Sequence, residues 1–274
     1  MATMASAMFG AGDFFGGVAS RRTDARLVVL VAMVAGLAPL AAVIVAEGSR
    51  FNGVSAFWSV IAGLGFAAGV SLLYRALSQG RMLQVAPITA IIAIAIPTVV
   101  DMAYGNAHVH AKWLVGILAA LASGTLLGAA RNESGARADL RTIGMALLAG
   151  SGFGLFYVGL KRASIGNEDP WTVLGIRFVA VIATMIAALG TPRATHRTFG
   201  LAVAIVAGVF DGAATVLLMI AFSHGGLAGN SAIASLYPAT TMLLAILFLK
   251  ERPTFFQSIG LAMALPAVLL LQTT

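Results

Sequence analysis

The chain has 274 residues, 59% of them hydrophobic and only 10% charged, with a mean hydropathy of +0.96. Soluble domains carry about 25% charged residues, so a water-facing globule is excluded and a membrane protein is expected. The formal charge of +7 comes from 17 basic against 10 acidic residues, and the basic ones stand in small groups between apolar runs. That placement reads as membrane topology, not as a nucleic-acid surface. With no cysteine in the chain, disulfides, thiolate metal sites and cysteine nucleophiles are excluded. Only His108 and His110 lie close together among the four histidines, and no third ligand is near. Neither a metal site nor a cofactor is expected.

A helix crossing the bilayer core needs about 20 apolar residues. Ten such runs follow in chain order: 3–20, 27–46, 54–73, 83–104, 113–130, 142–160, 171–190, 199–222, 226–249 and 255–272. Short polar connectors separate them, the longest being the eleven residues 131–141. The faintest is Ser223-His224-Gly225, between the eighth and ninth runs. Nothing alternates as a membrane β-strand would. The expected fold is therefore all-α and integral to the membrane, with ten transmembrane helices. The first run has no preceding positive charge and is broken by Asp13 and several glycines, so it reads as the first helix and not as a cleavable signal peptide.

Lysine and arginine counts orient the bundle. Odd-numbered connectors hold 12 of them and even-numbered connectors 4, with Arg177 alone inside a run. The excess puts the odd connectors in the cytoplasm and both termini outside it.

The two halves repeat. Gly10, Gly12, Arg21 and Arg22 align with Gly150, Gly152, Lys161 and Arg162, while Ala76–Gly80 aligns with Ala221–Gly225 and Gly116 with Gly260. Residues 1–130 form a first five-helix repeat, 131–141 a connector and 142–274 a second repeat. An odd number of helices inverts the second copy, an arrangement common in secondary transporters, whose substrate site lies at the midplane between copies.

The stretch Ala234-Ser235-Leu236-Tyr237-Pro238, continuing to Leu249-Lys250-Glu251-Arg252-Pro253-Thr254, resembles the EamA-type signature of the drug/metabolite transporter superfamily. Ala221–Gly225 resembles the short turn between the third and fourth helices of each repeat in that family. The resemblance spans essentially the whole chain. The first half departs from it, with Gly105-Asn106-Ala107-His108 in place of the acidic turn, so Glu251 has no duplicate. It implies export of small metabolites, often amino acids, across a bacterial inner membrane. The family is often described with cytoplasmic termini, opposite to the charge count.

Gly12/Gly16, Gly65/Gly69, Gly150/Gly154 and Gly208/Gly212 form Gly-xxx-Gly pairs, which let helix backbones approach closely in lipid. Pro87 and Pro97 in the fourth run and Pro238 in the ninth are expected to kink their helices and free backbone groups there. Near them, Thr89, Asn230, Ser235 and Tyr237 offer polar atoms at membrane depth. Tyr237 and Asn230 are expected to bind substrate, with Ser235 and Thr89 beside them. Trp58, Trp113 and Trp171 lie near run starts and read as interfacial anchors.

Ionisable residues inside the bilayer cost at least about 2.5–3.5 kcal/mol each unless paired or hydrated. Asp13, Arg177 and Asp211 qualify. Both aspartates sit about 15 Å deep at 1.5 Å per residue, and Arg177 about 9 Å, within reach of a carboxylate. They are expected to form a coupling or gating network, either titrating with protons or held as a fixed pair. Asp101 lies nearer a run end and is expected to be wet.

The expected function is secondary transport: export of small metabolites, amino acids foremost, by alternating access, with the protein working as a monomer, either by proton antiport or by facilitated diffusion. Rivals are a channel or facilitator, a non-transporting scaffold, and an integral membrane enzyme. An enzyme is disfavoured because no H-E-x-x-H or G-x-S-x-G motif occurs. No Walker motif occurs either, so ATP-driven pumping would need a partner. The ratio of 14 Arg to 3 Lys suggests a high-GC bacterial source.

Overall fold

A computed structural model describes residues 1–48, 56–79, 82–104, 140–163, 170–189 and 198–272, with scattered positions between 114 and 126. Every regular element among the described residues is a helix. In chain order they are α1 (Ala2–Ser20), α2 (Ala25–Ala35), α3 (Leu37–Glu47), α4 (Ala56–Gln79), α5 (Met82–Ala103), α6 (Leu140–Ala163), α7 (Pro170–Ala188), α8 (Thr198–Ser223), α9 (Leu227–Ala234), α10 (Tyr237–Leu249) and α11 (Phe255–Gln272). Among the described residues, seven spans are long and apolar enough to cross a membrane: α2 with α3, α4, α5, α6, α7, α8, and α9 with α10. Large apolar side chains such as Phe57, Phe178, Ile186, Leu247 and Phe248 face outward. Water would oppose that surface and lipid suits it. The fifth run, 113–130, and Trp113 fall almost wholly outside the described residues.

Local chemistry sets several helix ends. The Asp24 side chain accepts from Arg26 N at 2.8 Å and caps α2, satisfying a donor that the helix leaves free. Gly48 closes α3 in the left-handed conformation, φ +59°, where a side chain would be strained. Lys250 ends α10 in the same region at φ 55°, and Glu251 N then donates back to Ala245 O. That turn brings Glu251 to the end of α1.

Three expectations are corrected. The second run breaks at Gly36 into α2 and α3, where a Cβ on Gly212 of α8 would meet the Gly36 carbonyl. The ninth run breaks at Ser235-Leu236, so Pro238 opens α10 in its first turn and does not kink a continuous helix. Residues 74–79, read as connector, continue α4 for more than a turn, with Tyr74 and Leu77 buried. α5 runs unbroken through Pro87 and Pro97.

Helix crossings follow the glycines. The most extensive contacts join α4 to α6 and α1 to α8, followed by α5 to α6, α4 to α7, α2 to α8 and α1 to α10. Each has a partner crossing of the same construction. Gly12 of α1 seats on Ala207 O and Asp211 of α8; Gly152 of α6, 140 residues on, seats on Gly65 O and Gly69 of α4. Gly10 abuts Tyr237 O of α10, and Gly150 abuts Thr89 O of α5. Gly63 of α4 lies on Ile176 O of α7, and Gly208 of α8, 145 residues on, lies on Ala32 O of α2. In every case a Cβ would press on a neighbouring backbone, so a larger residue would force the helices apart.

Candidate functional site

Where α1, α6, α8 and α10 meet, Phe9, Asp13, Phe153, Phe156, Tyr157, Asp211 and Tyr237 line a cavity of about 270 Å³ counted to its open edge. It is narrow, with room for about one water. The small residues that allow α1 and α6 to approach α8 and α4 also bring these larger side chains to the centre. Ring contacts tie the aromatic wall together. Phe66 lies 4.8 Å from Phe156 and 6.3 Å from Phe153, and Phe153 meets Tyr237 edge-on at 6.5 Å.

Arg177 enters from α7 and is 2% exposed. Its Nη1 donates to Asp211 Oδ2 at 2.6 Å and its Nη2 to Thr215 Oγ1 at 3.0 Å. The Thr215 hydroxyl in turn donates to Asp211 O at 2.9 Å. Met33 Sδ lies 3.7 Å from Nη1, and the guanidinium sits 4.4 Å over the centre of the Phe66 ring. One face and both terminal nitrogens of the cation are thus occupied. Such pairing offsets the large desolvation cost of a buried charge. Asp13 is different. Half-buried at the same cavity, its carboxylate has Asp211 as its charged neighbour and, among the described residues, no hydrogen bond or ion pair.

The residues singled out from sequence therefore fall into two groups. Asp13, Asp211 and Tyr237 line the cavity, and Arg177 stands behind Asp211. The Tyr237 hydroxyl donates to Ala86 O of α5 at 3.5 Å. Thr89 and Ser235 are buried in the adjoining α5 and the α9–α10 turn; Thr89 donates to Val85 O at 3.0 Å. Asn230 stands apart, its Nδ2 donating to Ala221 O at 2.7 Å near the end of α8. That bond commits it to holding the α8–α9 junction. Asp101 is not wet: it is buried, and its Oδ2 accepts from Ala228 N at 2.9 Å, capping the first turn of α9. Sequence reasoning missed Phe9, Phe153, Phe156 and Tyr157. Their one sequence signal is that they interrupt the glycine-rich stretches of the first and sixth runs.

Cations close both ends of the core. Lys161, at the end of α6, donates to Phe222 O at 2.5 Å and Gly225 O at 2.9 Å. Arg21, at the end of α1, donates from Nε to Leu77 O at 3.5 Å and pairs with Glu251 at 3.3 Å.

Residues 140–273, from α6 to α11, match the model of the EamA-like transporter family, part of the drug/metabolite transporter superfamily. The match covers the second half of this multi-pass membrane protein, just under half of the chain. The match begins with the helix that supplies Phe153, Phe156 and Tyr157 and runs through the Tyr237–Thr254 stretch. Among curated proteins, none matches the chain. A protein of solved crystal structure aligns over 97% of this chain and 95% of its own, with a TM-score of 0.74 and 15% identity. At that identity the likeness establishes the fold alone.

Proposed function

We propose that the protein is a secondary transporter that exports small amino-bearing metabolites, amino acids and amines, across the bacterial inner membrane by alternating access. The observation that carries this reading is the cavity itself: two carboxylates and five aromatic rings gathered where helices from both halves of the chain cross. Charged groups at such depth are costly and mark ligand or ion paths. Asp13 and Asp211 with Arg177 form the coupling or gating network, Tyr237 contacts substrate, and Ser235, Thr89 and Asn230 support the helices around it.

Alternating access needs two similar units that rock about the site. In this reading residues 1–130 and 142–274 are inverted five-helix repeats, ten spans in all. The paired glycine crossings support it, since α1 on α8 matches α6 on α4, and α4 on α7 matches α8 on α2. The charge count puts both termini outside, and the ends of α1 and α4 at the cytoplasmic face.

Counterflow in proteoliposomes with a panel of labelled amino acids and amines tests the function. Saturable exchange is expected. Flux without saturation would make the protein a channel, and absence of flux a scaffold. Fusions at the C-terminus test orientation: alkaline phosphatase active and fluorescent protein dark is the expected pattern.

A further inference from the structure

We propose that the central site selects organic cations, a protonated amine on an apolar or aromatic body, over zwitterionic amino acids; this rests on the transporter reading above and narrows its substrate. Among the described residues, the charges at the site are Asp13 and Asp211, with Arg177 behind Asp211. Arg177 is engaged by Asp211, Thr215, Met33 and the Phe66 ring, and its charge is matched by Asp211. Among the described residues a substrate carboxylate would therefore meet no free cation and would face two carboxylates. Asp13 has the opposite deficit, a carboxylate without a donor. A buried carboxylate is stable only when paired or protonated, so Asp13 has a place for a single positive charge, a proton when the site is empty and an ammonium when it is filled.

The walls suit the same ligand in chemistry, and the cavity, with room for about one water in this form, widens in the alternating-access cycle to admit it. Phe9, Phe153, Phe156, Tyr157 and Tyr237 surround the acidic pair. An ammonium near aromatic faces is attracted to their π electrons, and the rings hold its apolar body by contact.

The matched crossings show that this arrangement is not simply a greasy core. At the spacing that relates Gly12 to Gly152, the counterpart of Asp13 is Phe153. At the spacing that relates Gly63 to Gly208, the counterpart of Asp211 is Phe66. The spacing that relates Ala32 to Ile176 makes Met33 the counterpart of Arg177, and these two touch. Each charged residue in one copy thus stands opposite an apolar one in the other. Backbones cross alike, while one wall is acidic and the other aromatic. The site has a direction: the amine turns toward α1 and α8, the body toward α6.

The test uses three compounds with one ring and different charges: phenethylamine, phenylalanine and phenylacetate. Binding to the purified full-length protein is measured by titration calorimetry, and exchange by counterflow in proteoliposomes. Phenethylamine is expected to bind at least tenfold more tightly than phenylalanine, with phenylacetate weakest, and to exchange saturably. Asp13→Asn should lower phenethylamine affinity at least tenfold, and Asp13→Glu should retain most of it. Phe153→Leu should weaken it severalfold. Phenylalanine bound or exchanged as well as phenethylamine would overturn the cation proposal and leave transport standing. Phenethylamine bound but never exchanged would support the site and overturn the transporter reading. No binding of phenethylamine would overturn the proposal, whatever the variants do.

Discussion

At the end of α1, Arg21 reaches Leu77 O at 3.5 Å and Glu251 at 3.3 Å from a solvent-exposed position. At the end of α6, Lys161 reaches Phe222 O at 2.5 Å and Gly225 O at 2.9 Å, half-buried, with Asp101 in electrostatic range. The spacings that relate α1 to α6 and α4 to α8 make Arg21 the counterpart of Lys161, and Leu77 that of Phe222. The same carbonyl at the end of the same crossing is therefore held by a cation twice, loosely at one end and tightly at the other. At the centre the contrast is one of kind, with Asp13 and Asp211 where the other crossing has Phe153 and Phe66. Two crossings built alike can thus carry different chemistry at the centre and unequal holds at the ends, because backbone crossings depend on glycines while chemistry depends on the side chains between them.

The largest effect is expected at the centre. Asp211→Ala strands Arg177 in the core, and removing one partner of a buried pair costs about 3–5 kcal/mol. Thermal unfolding in detergent should fall sharply. Arg177→Met combined with Asp211→Asn, which places on α7 the residue α2 has at its counterpart, should recover most of that loss while transport stays impaired. A double variant as unstable as Asp211→Ala would show that the pair is structural glue and not the charged member of a polarised site.

Next in size is the tight end. Lys161→Met leaves the Phe222 and Gly225 carbonyls without their cation, and hydrogen bonds to charged groups contribute about 1.5–3 kcal/mol. Asn230→Ala removes a neighbouring hold on Ala221 O and should cost about 1 kcal/mol. Both changes act on the α8 end, so their combined effect on unfolding should depart from the sum of the two. Strict additivity would mean that Lys161 and Asn230 hold separate structures.

Much of this was legible in the residues, and the exceptions have a common cause. Apolar runs delimit α1, α5, α6, α7 and α8 to within a few residues because lipid demands length and hydropathy. The pairing of Arg177 with Asp211 followed from the cost of lone charges at depth. The break at Gly36 did not, because its run is apolar throughout and the break is imposed by Gly208 and Gly212 pressing from α8. Asp101 looked wet from its distance to a run end, yet it is buried and accepts from the Ala228 N–H in the first turn of α9. Phe9, Phe153, Phe156 and Tyr157 read as ordinary core, and only their gathering around one cavity with Asp13 sets them apart.

The smallest effect is expected at the loose end, and it is the one that measures the inequality. Ser78 and Ser223 are counterparts, each donating at 2.8 Å to a carbonyl three residues earlier, Arg75 O and Ile220 O. The chain has no cysteine, so Ser78→Cys and Ser223→Cys give single reporters at the two ends. Labelling by a hydrophilic maleimide in detergent then reads how often each end opens. Lys161→Met should raise the labelling rate at position 223 by about tenfold or more, the factor equivalent to 1.5 kcal/mol or above. Arg21→Met should raise it at position 78 by less than about fivefold, since exposed pairs contribute about 1 kcal/mol at most. Salt should mimic the Arg21 change, because exposed pairs are screened, and should leave position 223 nearly unaffected. Equal responses at the two positions would mean that the 2.5 Å and 3.5 Å contacts hold their ends with equal strength, and the inequality between the ends would be lost.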